Sequence, residues 1–205
     1  SVESEPADEM ALRELGSLEA PKDIDVLFVD QLIWPYNGFD ENTGREFERC
    51  FERLNALKLA RPGLRVAFQL RHYPDAARRQ AVLARVTPFF TAPIEILSND
   101  GRGERYRNIA RCRVVVTFQS TLGYDEVFIG RNTKALFANF TSNPYELYSD
   151  DARFQLWDQS SSPEAFIRRI DELVALKLPQ PPEAALERHA FVDGKVPERI
   201  VAALT

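Results

Sequence analysis

Cysteine is scarce in this 205-residue sequence, which contains only Cys50 and Cys112. The two lie far apart, and the sequence contains neither a C-x-x-C pair nor a histidine cluster that would complete a zinc site. We therefore expect two reduced thiols in the protein core, as is usual for a cytosolic protein.

Positive charge is also in short supply, because 26 Lys and Arg residues are outnumbered by 31 Asp and Glu residues. Nucleic-acid-binding proteins neutralise phosphates with excess Lys and Arg, so we expect no nucleic-acid partner. No run approaches the roughly 18 apolar residues of a membrane span, and the acidic start SVESEPADEM does not have the form of a signal peptide. We expect a cytoplasmic protein without a transmembrane segment, peripheral at most at the inner face of the membrane.

The glycine-rich motifs of common nucleotide sites are missing too. The sequence has no G-x-x-x-x-G-K-[ST] loop, which argues against a P-loop ATPase, and no G-x-S-x-G motif. The segment 101–103, Gly-Arg-Gly, lacks the third glycine of a dinucleotide fingerprint, so NAD binding is not expected. Because Cys50 is predicted within a helix and Cys112 at the end of one, cysteine nucleophile chemistry is unsupported as well.

Short apolar runs alternate with segments of helical periodicity along most of the chain. The run Asp25 to Asp30 is bounded by acids, which is typical of a buried parallel strand, and Arg45 to Leu59 has apolar residues at helical intervals. Further strands are predicted at 64–70, 94–97, 113–118 and 133–140, and further helices at 75–86, 104–112, 121–130 and 163–178. This alternation predicts an α/β fold with a Rossmann-like, mostly parallel sheet and helices on both faces.

The composition fits one domain with a sizeable core, since 44% of the residues are hydrophobic. We predict a Rossmann-like domain over 23–178, an N-terminal extension or helix over 1–22, and C-terminal packing helices over 179–205. In such sheets ligands bind where the carboxyl ends of strands meet the starts of helices, so the loops after the strands are the segments of interest.

The most informative of these loops follows the predicted strand 113–118. Ser120 and Thr121 place two hydroxyls at a predicted helix start, beside unpaired backbone N–H groups and the positive end of the helix dipole, which favours phosphate binding. Gly123 permits close approach of a ligand, and Asp125 is suited to accept hydrogen bonds from a sugar hydroxyl. In the alternative interpretation, Ser120 or Thr121 only caps the helix and Asp125 and Glu126 only complement its dipole.

Arg71 and His72 directly follow the predicted strand 64–70 and form a second candidate phosphate site. An arginine binds phosphate oxygens bidentately, and a histidine donates to them. The alternative is a capped strand end in which Pro74 starts the next helix and His72 is a partly buried hydrogen-bonding residue. Asn99 and Asp100, after the next strand, are candidates to contact the base of a nucleotide.

The order of these motifs, His-Tyr-Pro at 72–74, a strand, a basic helix, a strand and Ser-Thr-Leu-Gly-Tyr-Asp at 120–125, resembles the nucleotide-binding C-terminal half of GT-B glycosyltransferases. It is most similar to bacterial surface-carbohydrate enzymes that use CMP-sugars, namely the β-Kdo transferases of capsule and lipopolysaccharide and the GT-B sialyltransferases. The resemblance covers about residues 23–176. Tyr73 departs from the family pattern, since it separates the usual His-Pro pair.

The resemblance implies a role for each of these residues. His72 would contact the CMP phosphate together with Arg71, and Ser120 and Thr121 would bind phosphate at the helix start. Asp125 would occupy the position of the family's usual Glu, with Glu126 beside it as the alternative.

The implied reaction transfers a sugar, such as Kdo or a related acid, from its CMP donor to a bacterial surface glycan or glycolipid. Cations and the helix dipole would offset the charge on the departing phosphate. Because CMP leaves as a monophosphate, neither a metal nor a cofactor is expected. GT-B enzymes have two Rossmann-like halves, so an N-terminal acceptor domain or a partner chain is expected to supply the catalytic base or nucleophile, which this sequence does not identify.

Three other functions fit the same pattern. A domain that uses CDP-glycerol or another nucleotide-sugar would keep the sheet and the Ser120 helix start. A polysaccharide pyruvyltransferase would share the GT-B shape and respond to phosphoenolpyruvate. A non-catalytic interaction module would bind no nucleotide and would use Trp34, Tyr36 and Phe39 as partner anchors.

Overall fold

The computed structural model describes residues 21–30, 41–73, 75–98, 104–118, 133–139, 151–158 and 161–179. Six strands lie in these ranges: β1 Ile24–Val29, β2 Val66–Gln69, β3 Glu95–Leu97, β4 Cys112–Thr117, β5 Lys134–Asn139 and β6 Phe154–Asp158. They form one sheet in the order β3-β2-β1-β4-β5-β6, and every neighbouring pair is parallel. The predicted Rossmann-like sheet is confirmed.

Four α-helices are described: α1 Glu41–Ala60, α2 Ala76–Val86, α3 Glu104–Ala110 and α4 Pro163–Ala175. A short 3₁₀ helix, Thr87–Phe89, follows α2. The starts of α2 and α4 have local causes, because the side chains of Asp75 and Ser162 accept hydrogen bonds from the first turn and so replace missing backbone partners. The helices predicted in these segments are confirmed, whereas the one predicted at 121–130 lies outside the described residues.

Two local predictions differ from the structure. Cys112 was predicted to close a helix, but it begins β4, where it pairs in register with Ile24. Strand β6 was not predicted, because its residues alternate irregularly: Phe154 and Trp157 are buried, whereas Leu156 between them is exposed. In both cases pairing with a neighbouring strand outweighs the local pattern.

Helices cover both faces of the sheet and bury a core on each. On one face α1, α2 and α4 pack against an aromatic cluster centred on Phe28, whose ring centroid lies 5.2 Å from that of Phe51 and 5.5 Å from that of Phe68. On the other face Ile109 of α3 packs among Leu27 and other apolar residues of the central strands. Each buried large side chain contributes about 1.5–3 kcal/mol, so these two clusters stabilise the sheet that carries the candidate site.

Both cysteines have the state predicted from the sequence. Cys50 and Cys112 are buried reduced thiols, one in each core cluster. Burial raises the pKa of Cys50 far above its ordinary value, so this thiol stays protonated and unreactive.

Across the described ranges, no helix combines the length and apolar character needed to span a membrane. The predicted N-terminal extension and the C-terminal packing helices fall almost entirely outside those ranges, so they stay predictions.

Candidate functional site

The strand order reverses between β1 and β4. From β1 the chain proceeds outward to β2 and β3, returns to β4 on the other side of β1, and continues to β5 and β6. In open parallel sheets a crevice forms at the carboxyl ends of the strands where this reversal occurs, and ligands bind in it. The candidate site therefore lies at the carboxyl ends of β1 and β4, with β2 beside β1.

Asp30 directly follows β1 and joins it to the segment after β2. Its Oδ2 atom accepts a 2.5 Å hydrogen bond from the Tyr73 hydroxyl and a 3.3 Å hydrogen bond from the backbone N–H of Arg71. Its own N–H donates to the carbonyl of Gln69 at 2.9 Å. Hydrogen bonds to a carboxylate are about twice as strong as neutral ones, so Asp30 restrains the segment that carries Arg71 and His72.

Arg71 and His72 are exposed at the carboxyl end of β2, between two buried residues. Leu70 is 1% exposed and Tyr73 is 6% exposed, and both belong to the core. The two predicted phosphate ligands thus lie together on an anchored segment and face solvent, which corrects the alternative interpretation of His72 as a partly buried residue. Tyr73, the residue that interrupts the family's His-Pro pair, supplies the anchor.

The electrostatics of this anchor favour the hydrogen bond. Burial raises the pKa of Tyr73, and the neighbouring charge of Asp30 raises it further, because a phenolate beside a carboxylate is unfavourable. The phenol therefore stays protonated and remains a donor to Asp30 over the whole physiological pH range.

Strand β4 carries the other side of the site. It ends at Thr117, and Phe118 after it is completely buried. In the sequence, Ser120 follows Phe118 after one residue. The remaining predicted site residues are outside the described part of the chain, and their roles stay predictions: Asn99, Asp100, Ser120, Thr121, Gly123, Asp125 and Glu126.

Sequence reasoning missed three polar residues at this edge of the sheet, namely Asp30, Tyr73 and Gln69. Gln69 ends β2, is 1% exposed, and has an Oε1 atom without a hydrogen-bond partner in the described structure. A buried acceptor left unsatisfied costs about 1–3 kcal/mol. Asp30 was identified in the sequence only as the acid that bounds the first strand, and no sequence pattern indicated that it contacts Tyr73.

The start of α2 is not available as an anion site, although it follows Arg71 and His72 closely. The Asp75 carboxylate already occupies it, since Oδ1 accepts from the N–H of Ala77 at 2.9 Å. Among the described residues, no group of three or more His, Cys, Asp or Glu side chains could hold a metal ion.

Comparison with known proteins identifies the fold. Neither a known protein family nor a curated sequence matches the chain. The crystal structure of Methanocaldococcus jannaschii UDP-GlcNAc 2-epimerase in complex with UDP-GlcNAc and UDP matches it with a TM-score of 0.59 and 15% identity, over 98% of this chain and 49% of that one. A second structure of the M. jannaschii epimerase gives a TM-score of 0.55 and 17% identity, over 96% and 49% of the two chains.

A β-Kdo 2,4 transferase, KpsC of Thermosulfurimonas dismutans, is also similar, but its TM-score of 0.38 and 13% identity are too low to support an inference. The structural similarity to the epimerase establishes a common fold, but identities of 15% and 17% do not establish a common substrate or activity. This chain spans about half the length of the epimerase chains. It has the Rossmann-like fold of one half of a GT-B-type protein.

Proposed function

We propose that this chain is the donor-binding half of a GT-B glycosyltransferase and binds a nucleotide-sugar at the carboxyl ends of β1, β2 and β4. The observation that carries the proposal is the placement of Arg71 and His72. Both are exposed beside the reversal of strand order, on a segment that Asp30 ties to β1. A guanidinium and an imidazole in that position suit a phosphate.

In the proposed complex the phosphate lies between two groups of donors. Arg71 and His72 contact it from the side of β2, and Ser120 and Thr121 bind it from the segment after β4. These groups stabilise the negative charge that develops on the departing phosphate, which is the main electrostatic contribution to sugar transfer.

The remaining predicted residues bind the nucleoside. Gly123 permits close approach of the ligand, and Asp125 or Glu126 accepts hydrogen bonds from the ribose. Asn99 and Asp100 contact the base. An N-terminal half or a partner chain supplies the acceptor site and the catalytic base or nucleophile.

We favour a CMP-sugar as the donor, with Kdo or a related acid as the sugar and a bacterial surface glycan or glycolipid as the acceptor. The support is the order of the His72 and Ser120 motifs along the chain, which resembles that of the CMP-sugar enzymes. The reaction then needs neither metal nor cofactor from this half, because the leaving group is a monophosphate.

A UDP-sugar is the second candidate. The observation in its favour is that the similar M. jannaschii epimerase binds UDP-GlcNAc and UDP in its crystal structure. A diphosphate carries additional negative charge, so a UDP site has to supply more positive charge than a CMP site.

Calorimetric titration with CMP, CDP, UDP, GDP and ADP tests the proposal. We expect CMP to bind best, and His72→Ala and Ser120→Ala each to weaken it about tenfold or more, which corresponds to about 1.4 kcal/mol. Lys177→Ala, which removes an exposed charge beyond α4, is the control and leaves the affinity unchanged. Preference for UDP would replace the first candidate by the second, and no binding of any nucleotide would overturn the proposal.

A further inference from the structure

Gln69, the last residue of β2, is a buried polar side chain in apolar surroundings. Alternate residues of a strand face opposite sides of the sheet, and here Val66 and Phe68 belong to the core cluster on the side of α1, α2 and α4, whereas Ala67 belongs to the cluster on the side of α3. Gln69 therefore faces the α3 side, in line with Ala67. It is 1% exposed, and its Oε1 atom has no hydrogen-bond partner in the part of the chain that the structure describes.

Gln69 belongs to a row of residues at the carboxyl ends of three neighbouring strands. It pairs in register with Val29 of β1 and with Leu97 of β3, so the three side chains point to the same face of the sheet. Val29 and Leu97 pack against the cluster on the α3 side, but each is partly exposed. Solvent thus reaches the row on either side of Gln69, at the edge of the sheet where the reversal of strand order places the candidate site.

A carboxamide in this position is unfavourable unless another group bonds to it. Its oxygen accepts up to two hydrogen bonds, and its neighbours in the row, Val29 and Leu97, have apolar side chains that donate none. Most buried polar side-chain atoms have a partner, and a buried acceptor that lacks one destabilises the fold, whereas an apolar side chain of the same length would not. A ligand that lies against the row would supply the missing donor.

We propose that Gln69 is a ligand-binding residue of the donor site and that its Oε1 atom accepts a hydrogen bond from the nucleoside of the donor. This inference rests on the proposed function. Arg71 follows Gln69 by two residues, which corresponds to about 7 Å along an extended strand. A phosphate at Arg71 and a nucleoside at Gln69 therefore fit a single nucleotide, in which the donating group is a ribose hydroxyl or an N–H group of the base.

Calorimetric titration with CMP and thermal unfolding, carried out on the same variants, test this role. Gln69→Met replaces the carboxamide by an unbranched apolar side chain of similar length. We expect it to weaken CMP binding about tenfold or more. The Tm without ligand stays equal or rises, because the substitution removes an unsatisfied buried acceptor. Gln80→Met, the same substitution at an exposed glutamine of α2, leaves both the affinity and the Tm unchanged.

Three analogues separate the two sources of the donating group. The 2′-deoxy and 3′-deoxy forms of CMP each lack one ribose hydroxyl, and UMP has an oxygen in place of the 4-amino group of cytosine. An analogue that lacks the bonded group binds the unmodified chain more weakly than CMP does, but this difference disappears in Gln69→Met, because the acceptor is already gone. A difference with either deoxy form assigns Gln69 to the ribose, and a difference with UMP assigns it to the base.

Two results would overturn the inference. One is a CMP affinity that Gln69→Met leaves unchanged. The other is a lower Tm or a failure to fold in Gln69→Met, which would make the carboxamide a structural group. Failure of the proposed function gives a different result, since the unmodified chain then binds no nucleotide at all, whereas CMP binding that is insensitive to Gln69→Met contradicts only the role of Gln69.

Discussion

At the scale of single residues, the contact between Asp30 and Tyr73 holds the proposed phosphate ligands in place. We predict that Tyr73→Phe lowers the free energy of unfolding by about 1.5–3 kcal/mol, because it removes a hydrogen bond to a charged group and leaves a partly buried carboxylate with fewer donors. Urea denaturation measures the change.

A double-mutant cycle supplies the control for this contact. In an Asp30→Ala background, Tyr73→Phe is expected to cost much less than in the unmodified chain, because the acceptor is already gone. Costs that simply add would contradict the account of a direct coupling between the two side chains.

Lys22 is predicted to change how the free energy of unfolding varies with pH under alkaline conditions. Burial lowers its pKa to about 8, whereas the unfolded chain holds the proton until near its ordinary value of about 10.4. Between these values the unfolded state binds more protons, so the free energy of unfolding rises with pH, by up to about 1.4 kcal/mol per pH unit. We predict that Lys22→Met removes this rise.

The measurement is the difference between the two stability curves from pH 7 to pH 10. Taking the difference cancels the contributions of other groups, such as Cys50 and Tyr73, whose raised pKa values act in the opposite direction. Parallel curves would contradict the buried, desolvated position of the Lys22 ammonium.

Only part of the site was predictable from the sequence at this scale. Arg71 and His72 were identified because they directly follow a predicted strand, and the end of a strand is a local property. The partner of Tyr73 was not predictable, because Asp30 lies 43 residues away and only the pairing of β1 with β2 brings the two together.

At the scale of elements, the cap of α2 is the clearest testable feature. Asp75 Oδ1 accepts from the N–H of Ala77, so we predict that Asp75→Ala lowers the free energy of unfolding by about 1 kcal/mol. Asp75→Asn keeps an accepting oxygen and is expected to cost much less. Equal losses in chemical denaturation of the two variants would contradict the capping role.

Most elements were predictable because their patterns are local. The apolar runs of β1, β2, β4 and β5 are typical of strands buried on both faces. Strand β6 could not be predicted in the same way, because it lies at the edge of the sheet and only Phe154 and Trp157 face the core. Its place depends on pairing with β5, which no pattern within five residues reveals.

At the scale of the whole molecule, the reversal of strand order determines where a ligand can bind. It makes the carboxyl ends of β1 and β4 neighbours, and the predicted segments with His72 and Ser120 follow β2 and β4. The structural match covers 98% of this chain and 49% of the M. jannaschii epimerase chain, so the two share the fold over about half of the longer protein.

The proposed function places a nucleotide beside His72, and histidine NMR can detect binding at that residue. The chain has two histidines, so the imidazole signals can be assigned with His72→Ala and His189→Gln. Addition of CMP is expected to shift the His72 signal until it saturates and to leave the His189 signal unchanged. A titration in which neither CMP nor UDP moves the His72 signal would contradict the account.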